Sequence, residues 1–166
     1  MTVLTVEATV GFELPSSVRA GALLRYIDTN NWLIANYAAT KSAPATTVTL
    51  RKRVAGTETV LSQGHGSNPG GTRILTVIAD AAGNVLVRDG AKGGAAHTVI
   101  AVIGDTDLAT GGALASGGYG VYDAYTDSTQ RARYYDNFQV ATPPSTSTLI
   151  HPATNPGKTV ELTHDT

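Results

Sequence analysis

The sequence predicts an all-β protein: an antiparallel two-sheet β-sandwich of jelly-roll type with an extended C-terminal arm. Three observations carry this. Apolar and polar residues alternate with period two in almost every segment, the pattern of sheets with one wet face. The alternating runs are short and are separated by turns drawn from 18 glycines and a scatter of Asn and Pro, as in sandwiches built from many short strands. No segment carries a helical period. The weak candidate, Asp105 to Ala115, is interrupted by Gly111-Gly112, and glycine costs a helix about 1 kcal/mol relative to alanine.

Each element follows from its own residues. Thr2 to Val10 alternates and opens the chain as a strand. Val18 to Asp28 follows, with Leu24 and Tyr26 on one face and Leu23, Arg25 and Ile27 on the other. Thr29-Asn30-Asn31 is expected to turn because Asn tolerates left-handed backbone angles. Trp32 to Tyr37 pairs back. After a Pro-containing loop at 41–46, residues 47–54 have one polar and one apolar face, and Ala55-Gly56-Thr57-Glu58 turns them into 59–63. The breaker-rich loop 64–71 precedes the clearest hairpin, 72–80 and 85–90 joined by Ala81-Ala82-Gly83-Asn84. His97 to Ile103 is strongly apolar and is expected at the centre of a sheet. A Gly-rich loop, 104–117, leads to strand 118–125, and 131–140 is the last strand. The sandwich is thus assigned to 1–141. Residues 142–166 hold four of the seven prolines and read as an arm with a possible short strand, "TVELT". Its apolar residues Leu149, Ile150, Val160 and Leu162 are the candidates for docking on a neighbour.

Composition narrows the function classes. Charged residues make up 15% and the net charge is −1, against the basic stripe of a nucleic-acid binder and the polybasic patch of a membrane anchor. There is no cysteine, hence no disulfide framework and no thiolate chemistry. No run reaches the roughly 20 apolar residues of a membrane span. The first fourteen residues lack a basic segment and an unbroken apolar run, so no secretory signal is expected.

Four segments resemble a known family. "GALLRYIDTNNWLIANY" (21–37) resembles the strand, polar turn and Trp-led strand of concanavalin A-like (laminin G-like) sandwich domains. "VTLRKRVAGTETVL" (48–61) looks like their next hairpin, and "ILTVIADAAGNVLVRDG" (74–90) like their paired strands. "ATGGALASGGYGVYDAYTDSTQRARYYDNFQV" (109–140) resembles their closing segment. The resemblance covers about residues 1–141, leaving out the C-terminal extension, and the loop "GHGSNPGG" (64–71) is longer than the pattern. It implies one of two settings: bacteriophage virion proteins of tail, fibre or capsid surface, or carbohydrate-active proteins secreted by bacteria.

Catalytic chemistry is not expected. Glucanases of this fold class carry Glu-x-Asp-x-x-Glu on one strand, where paired carboxylates act as nucleophile and acid. None of Glu7, Glu13, Glu58 and Glu161 has an Asp two residues on. His65, His97, His151 and His164 fall in loops or the arm, no two with metal-ligand spacing, and there is no Gly-x-Ser-x-Gly elbow. No cofactor is expected. Calcium is the one candidate ion, through Asp105 and Asp107 in "GDTDLATGG", since oxygen ligands suit it; the alternative is that these residues only stabilise turns.

Sugar binding asks for an aromatic platform beside hydrogen-bonding side chains. The candidates are Tyr119, Tyr122, Tyr125, Tyr135 and Asn137. Trp32 is expected to pack as a core corner. In "RARYYDNFQV" (131–140), Phe138 is expected in the core, and Asp136 as a structural acid that needs a cation, Arg25 or Arg88, because burying it unpaired costs several kcal/mol.

The expected function is therefore a non-enzymatic virion protein, a capsid decoration or minor tail component at the particle surface, with glycan attachment to the host as an added role. Its partners would be other virion proteins or copies of itself in a homo-oligomer or larger assembly. The alternative is a carbohydrate-binding module of a secreted bacterial protein.

Overall fold

The computed structural model describes residues 4–11, 18–40, 43–66, 72–91, 94–125 and 134–141, with side chains for 20–37, 47–66, 73–91, 94–122 and 138–141. The arm residues Leu149, Ile150, Val160 and Leu162 lie outside them. Among the described residues there are ten strands: β1 (Leu4–Gly11), β2 (Val18–Asp28), β3 (Asn31–Thr40), β4 (Ala43–Val54), β5 (Thr57–His65), β6 (Thr72–Ala79), β7 (Val85–Ala91), β8 (Ala96–Val102), β9 (Gly118–Tyr125) and β10 (Tyr134–Ala141). They form two five-stranded antiparallel sheets, ordered β10-β1-β6-β7-β8 and β5-β4-β3-β2-β9. The all-β sandwich is as expected.

The core is the meeting of two alternating faces. Ala22 and Leu24 of β2, Leu33 and Ala35 of β3, and Val48 and Leu50 of β4 face Leu75 and Val77 of β6, Val85 and Val87 of β7, and Ile100 of β8. Each fully buried Leu or Val contributes roughly 1.5–3 kcal/mol. Loop 104–117 adds Leu108 and Leu114 to this core.

Turn chemistry sets the register. Ala55 and Gly56 both have left-handed backbone, φ 49° and 82°, which matches a two-residue hairpin with Val54 opposite Thr57. The β2–β3 turn works differently from expectation. Among the described residues the non-glycine left-handed positions are Arg25 and Ala55, not an Asn. Instead the Asp28 carboxylate accepts from Asn30 N at 2.7 Å and from Asn31 Nδ2 at 3.0 Å, closing the turn from its side chain.

Several placements depart from the sequence reading. Strand β8 is an edge strand, not a central one; His97, Thr98 and Ala101 are exposed while Ile100 is buried. Arg25 does not share a face with Leu23. A bulge sets Leu24 and Arg25 together opposite Tyr119, since Leu23 pairs with Gly120 and Tyr26 with Gly118. Both Leu24 and Arg25 therefore turn inward, and Tyr26 turns outward. Phe138 is 38% exposed rather than core; its strand, β10, lies at the edge of its sheet. Trp32 is buried, but on the outer face with Ile34 and Asn36, its Nε1 donating to Thr29 O at 3.2 Å.

The buried acid among the described residues is Asp89, fully enclosed between the sheets. Arg73 donates to both its oxygens, and Tyr37 Oη donates to Oδ1 at 2.6 Å. Burial first, then the charge of Asp89, pushes the Tyr37 hydroxyl's pKa well up. The cations proposed for Asp136 are used elsewhere: Arg25 donates to the carbonyls of Leu108, Leu114 and Asp80, and Arg88 Nη2 to Ala96 O. The side chain of Asp136 lies outside the described residues.

Candidate functional site

Strand β4 has a strict alternation. Val48 and Leu50 point into the core, so Thr49, Arg51 and Arg53 point to the outer face of their sheet. Register then assembles that face. Tyr122 of β9 lies opposite Gly21 of β2, Gly21 opposite Asn36 of β3, Asn36 opposite Thr49, and Thr49 opposite Gln63 of β5. A second row runs from Gly120 through Leu23, Ile34 and Arg51 to Val60.

Arg51 ties the rows together. Its Nε donates to Asn36 Oδ1 at 3.2 Å, Nη1 to Glu58 Oε1 at 2.7 Å and Nη2 to Tyr122 Oη at 3.3 Å. Its guanidinium lies 5.6 Å from the Tyr122 ring centroid, within cation–π range. To get there the side chain crosses two strands, and it crosses where β2 has Gly21. A Cβ at Gly21 would sit 2.0 Å from Ala35 O, so no other residue fits this position without moving β3. Asn36 Nδ2 is held by Tyr37 O at 2.9 Å. The guanidinium is thereby fixed in a planar fork, the geometry that makes arginine a directional donor.

The face has a graded exposure. Asn36 is 2% exposed, Thr49 7% and Arg51 8%, whereas the Glu58 side chain is 42% exposed and Val60 also reaches solvent. The Thr49 hydroxyl has no hydrogen-bond partner among the described residues, although a buried hydroxyl ordinarily has one. Arg53, beyond Trp32, is held by Gly56 O at 2.9 Å and Thr29 O at 3.2 Å. The result is a preorganised set of donors and acceptors beside a tyrosine ring and an exposed valine, a combination suited to a ligand with hydroxyls on one side and an apolar face on the other.

Of the candidate ligand-binding residues, Tyr122 is in this cluster. Tyr119 is half-exposed on the opposite face of β9. The side chains of Tyr125, Tyr135 and Asn137 lie outside the described residues. Arg51, Asn36, Thr49 and Glu58 were not singled out from sequence. The signal was the polar alternation of 47–54, which shows a wet face but not what lies across from it.

Asp105 and Asp107 meet a cation of the protein's own. Lys52, from the inner face of β4, places Nζ 2.6 Å and 2.8 Å from the two Asp105 oxygens and 2.7 Å from Asp107 Oδ2. An ion shared by these carboxylates would compete with that ammonium. Asp105 Oδ1 also accepts from Asp107 N at 3.1 Å, the turn-stabilising role that was the alternative to calcium. Burial works to lower the lysine pKa, but the hydrogen bonds and charges of Asp105 and Asp107 outweigh it and hold the ammonium above its ordinary value. Among the described residues no three His, Cys, Asp or Glu side chains group as a metal site.

Comparison with known proteins bears on the fold. No protein-family model matches the sequence, and no curated protein matches it. Among solved structures, the chain is similar to the GH43 protein BlXynB from Bacillus licheniformis, at 17% identity and a TM-score of 0.61 over 83% of this chain. The K247S mutant of that protein matches at 15% identity and a TM-score of 0.62 over 85%. The chain spans 26% and 28% of those two chains. It is also similar to the carbohydrate binding module CBM66 from Bacillus subtilis, at 17% identity and a TM-score of 0.56, covering 84% of this chain and 75% of that one. At these identities the likeness is one of fold, a β-sandwich consistent with the concanavalin A-like resemblance.

Proposed function

We propose that this chain is a carbohydrate-binding module that uses the outer face of the β5-β4-β3-β2-β9 sheet. The observation that carries the reading is the Arg51 fork, which joins Asn36, Glu58 and the Tyr122 ring across four strands. Sugar recognition needs directional donors for hydroxyls and a ring for the apolar sugar face, held without loss of side-chain entropy on binding. The similarity to a carbohydrate binding module and to a GH43 protein supports the same reading. Neither the neighbours nor the described residues speak for the virion setting, so the carbohydrate-binding alternative moves ahead of it. No catalytic role is proposed for this face: Glu58 is its one carboxylate among the described residues and is bonded to Arg51.

The test is affinity electrophoresis of the full chain in native gels that contain arabinoxylan, levan, barley β-glucan, galactomannan or polygalacturonate. Retardation is expected in at least one gel. Arg51→Lys keeps the charge but loses the fork, and is expected to weaken that binding at least about tenfold, or about 1.4 kcal/mol. Unretarded migration in every gel would overturn the proposal.

A further inference from the structure

The outer face holds two hydrogen-bonding side chains that the fold leaves unused. Arg51, Asn36, Glu58 and Arg53 all have partners within the chain. Thr49 and Gln63, directly opposite each other on β4 and β5, have none among the described residues. Thr49 is 7% exposed. Leaving a buried hydroxyl unpaired costs about 1–3 kcal/mol, and the great majority of such groups in folded proteins are paired. An unpaired one at the floor of a preorganised polar face is therefore a group held ready for a ligand.

A bulge delivers Gln63 to its place. Val60 lies opposite Arg51 and points outward with it, so strict alternation would send Ser62 outward and Gln63 inward. The register instead shifts between Leu50 and Arg51, which sets Ser62 opposite Leu50 and Gln63 opposite Thr49. Leu61 and Ser62 are accordingly both half-buried, while Gln63 is exposed. Strand β5 is the edge of this sheet, where bulges commonly re-aim a side chain beside a site. Directly opposed residues have their Cβ atoms about 5 Å apart, so the Gln63 amide stands beside the Thr49 hydroxyl. Both groups donate and accept and neither carries charge, which complements a sugar hydroxyl, itself donor and acceptor.

We infer that Thr49 and Gln63 form a second subsite, which binds the hydroxyls of a sugar unit other than the one on Tyr122. The ligand is then an oligosaccharide segment laid across the strands, along the row from Tyr122 through Gly21, Asn36 and Thr49 to Gln63. Four inter-strand spacings separate the ends of that row, about 19 Å, more than one sugar ring can span. This rests on the carbohydrate-binding reading and specifies it. Tyr122 and Arg51 hold one end of the segment, and Thr49 and Gln63 hold the other.

The experiment uses the five polysaccharide gels above with the wild type, Thr49→Val, Thr49→Ser and Gln63→Leu, each checked by thermal unfolding. Thr49→Val keeps the shape and loses the hydroxyl. It is expected to weaken binding at least about fivefold and to melt no lower than wild type, since no bond within the fold is lost. Thr49→Ser, which keeps the hydroxyl, is expected to stay within about twofold, and Gln63→Leu to lose at least about threefold. A Thr49→Val that binds as wild type overturns the subsite while leaving sugar binding intact. So does a Thr49→Ser as weak as Thr49→Val, since the hydroxyl is then not what the ligand meets. A wild type retarded in no gel overturns both. Should Thr49→Val not fold, Gln63→Leu decides, and its full retardation overturns the subsite. Calorimetry on the wild type tests the length of the ligand, using the monosaccharide and the four-unit oligomer of the retarding polysaccharide. The oligomer is expected to bind at least about tenfold more tightly, and equal affinities overturn the proposal.

Discussion

Arg73 and Arg51 each end on a carboxylate with a tyrosine beside it, and they differ in how water reaches them. The Arg73–Asp89 pair has side-chain exposures of 6% and 0% and is sealed between the sheets with Tyr37. The Arg51–Glu58 pair has 9% and 42%, and its tyrosine lies on an outer face. The inner network joins β6 and β7 of one sheet to β3 of the other. The outer network joins strands of a single sheet and adds nothing to sheet-on-sheet packing. The same residue types thus serve cohesion in one place and presentation in the other. Solvent access to the carboxylate separates the two, because a buried unpaired charge is far more costly than an exposed one.

The largest expected effect tests the inner network. Asp89→Ala leaves the Arg73 guanidinium and the Tyr37 hydroxyl buried without their shared carboxylate and is expected to cost about 3–5 kcal/mol in denaturant unfolding. A loss under about 1 kcal/mol would mean that this pair is no more structural than the outer one.

The loop clamp comes next. Lys52→Met removes the ammonium that binds Asp105 and Asp107 and is expected to cost about 1.5–3 kcal/mol. Amide exchange at Leu108 and Leu114 should accelerate before the strands of the core do, since these loop residues are held by Lys52 through Asp105 and by Arg25. Uniform acceleration over the whole chain would show that the loop does not open separately.

The same clamp carries a pH dependence. Its pKa is raised in the folded chain, so its contribution is fully present below the unfolded value of 10.5. The contribution is lost as pH rises through the higher folded value. A melting temperature that falls from about pH 10.5 upward in the wild type, and less steeply in Lys52→Met, is the expected result. Parallel falls would assign the alkaline loss to other groups. Asp80 works in the opposite direction. Burial tends to raise its pKa, but hydrogen bonds from Asn84 and Ala82 and the charge of Arg25 hold it below the ordinary carboxylate range. Its contribution is present above the unfolded pKa and lost as pH falls through the folded one.

The smallest stability effect is expected on the outer face. Glu58→Gln should change unfolding free energy by less than about 1 kcal/mol, yet weaken retardation by the polysaccharide. A loss comparable to that of Asp89→Ala would erase the distinction between the two networks.

Much of the fold was legible because alternation is a property of neighbours in sequence. The β6–β7 hairpin around Ala81 to Asn84 follows expectation, with Ala79 opposite Val85. The errors share a cause. The apolar run of β8 does not say whether a strand lies at the centre or the edge of its sheet. The bulge at Leu24-Arg25 depends on its partner β9, some 90 residues away in the chain, and a period-two count carried through it puts Arg25 on the wrong face. For Phe138, alternation likewise does not say that β10 lies at a sheet edge. Sequence could name Tyr122 as a ring on a strand, but not that Arg51 reaches it across Gly21.

Local chemistry by itself determined that this chain is all-β, where most strands and turns fall, and that residues 47–54 have one wet and one dry face. Tertiary structure alone decided which wet residues share a face, that Asp89 is the buried acid among the described residues, and that Lys52 stands between Asp105 and Asp107. The reason is physical. Strand alternation is set by backbone geometry within a few residues, whereas register, bulges and sheet order are set by pairing between segments far apart in the chain.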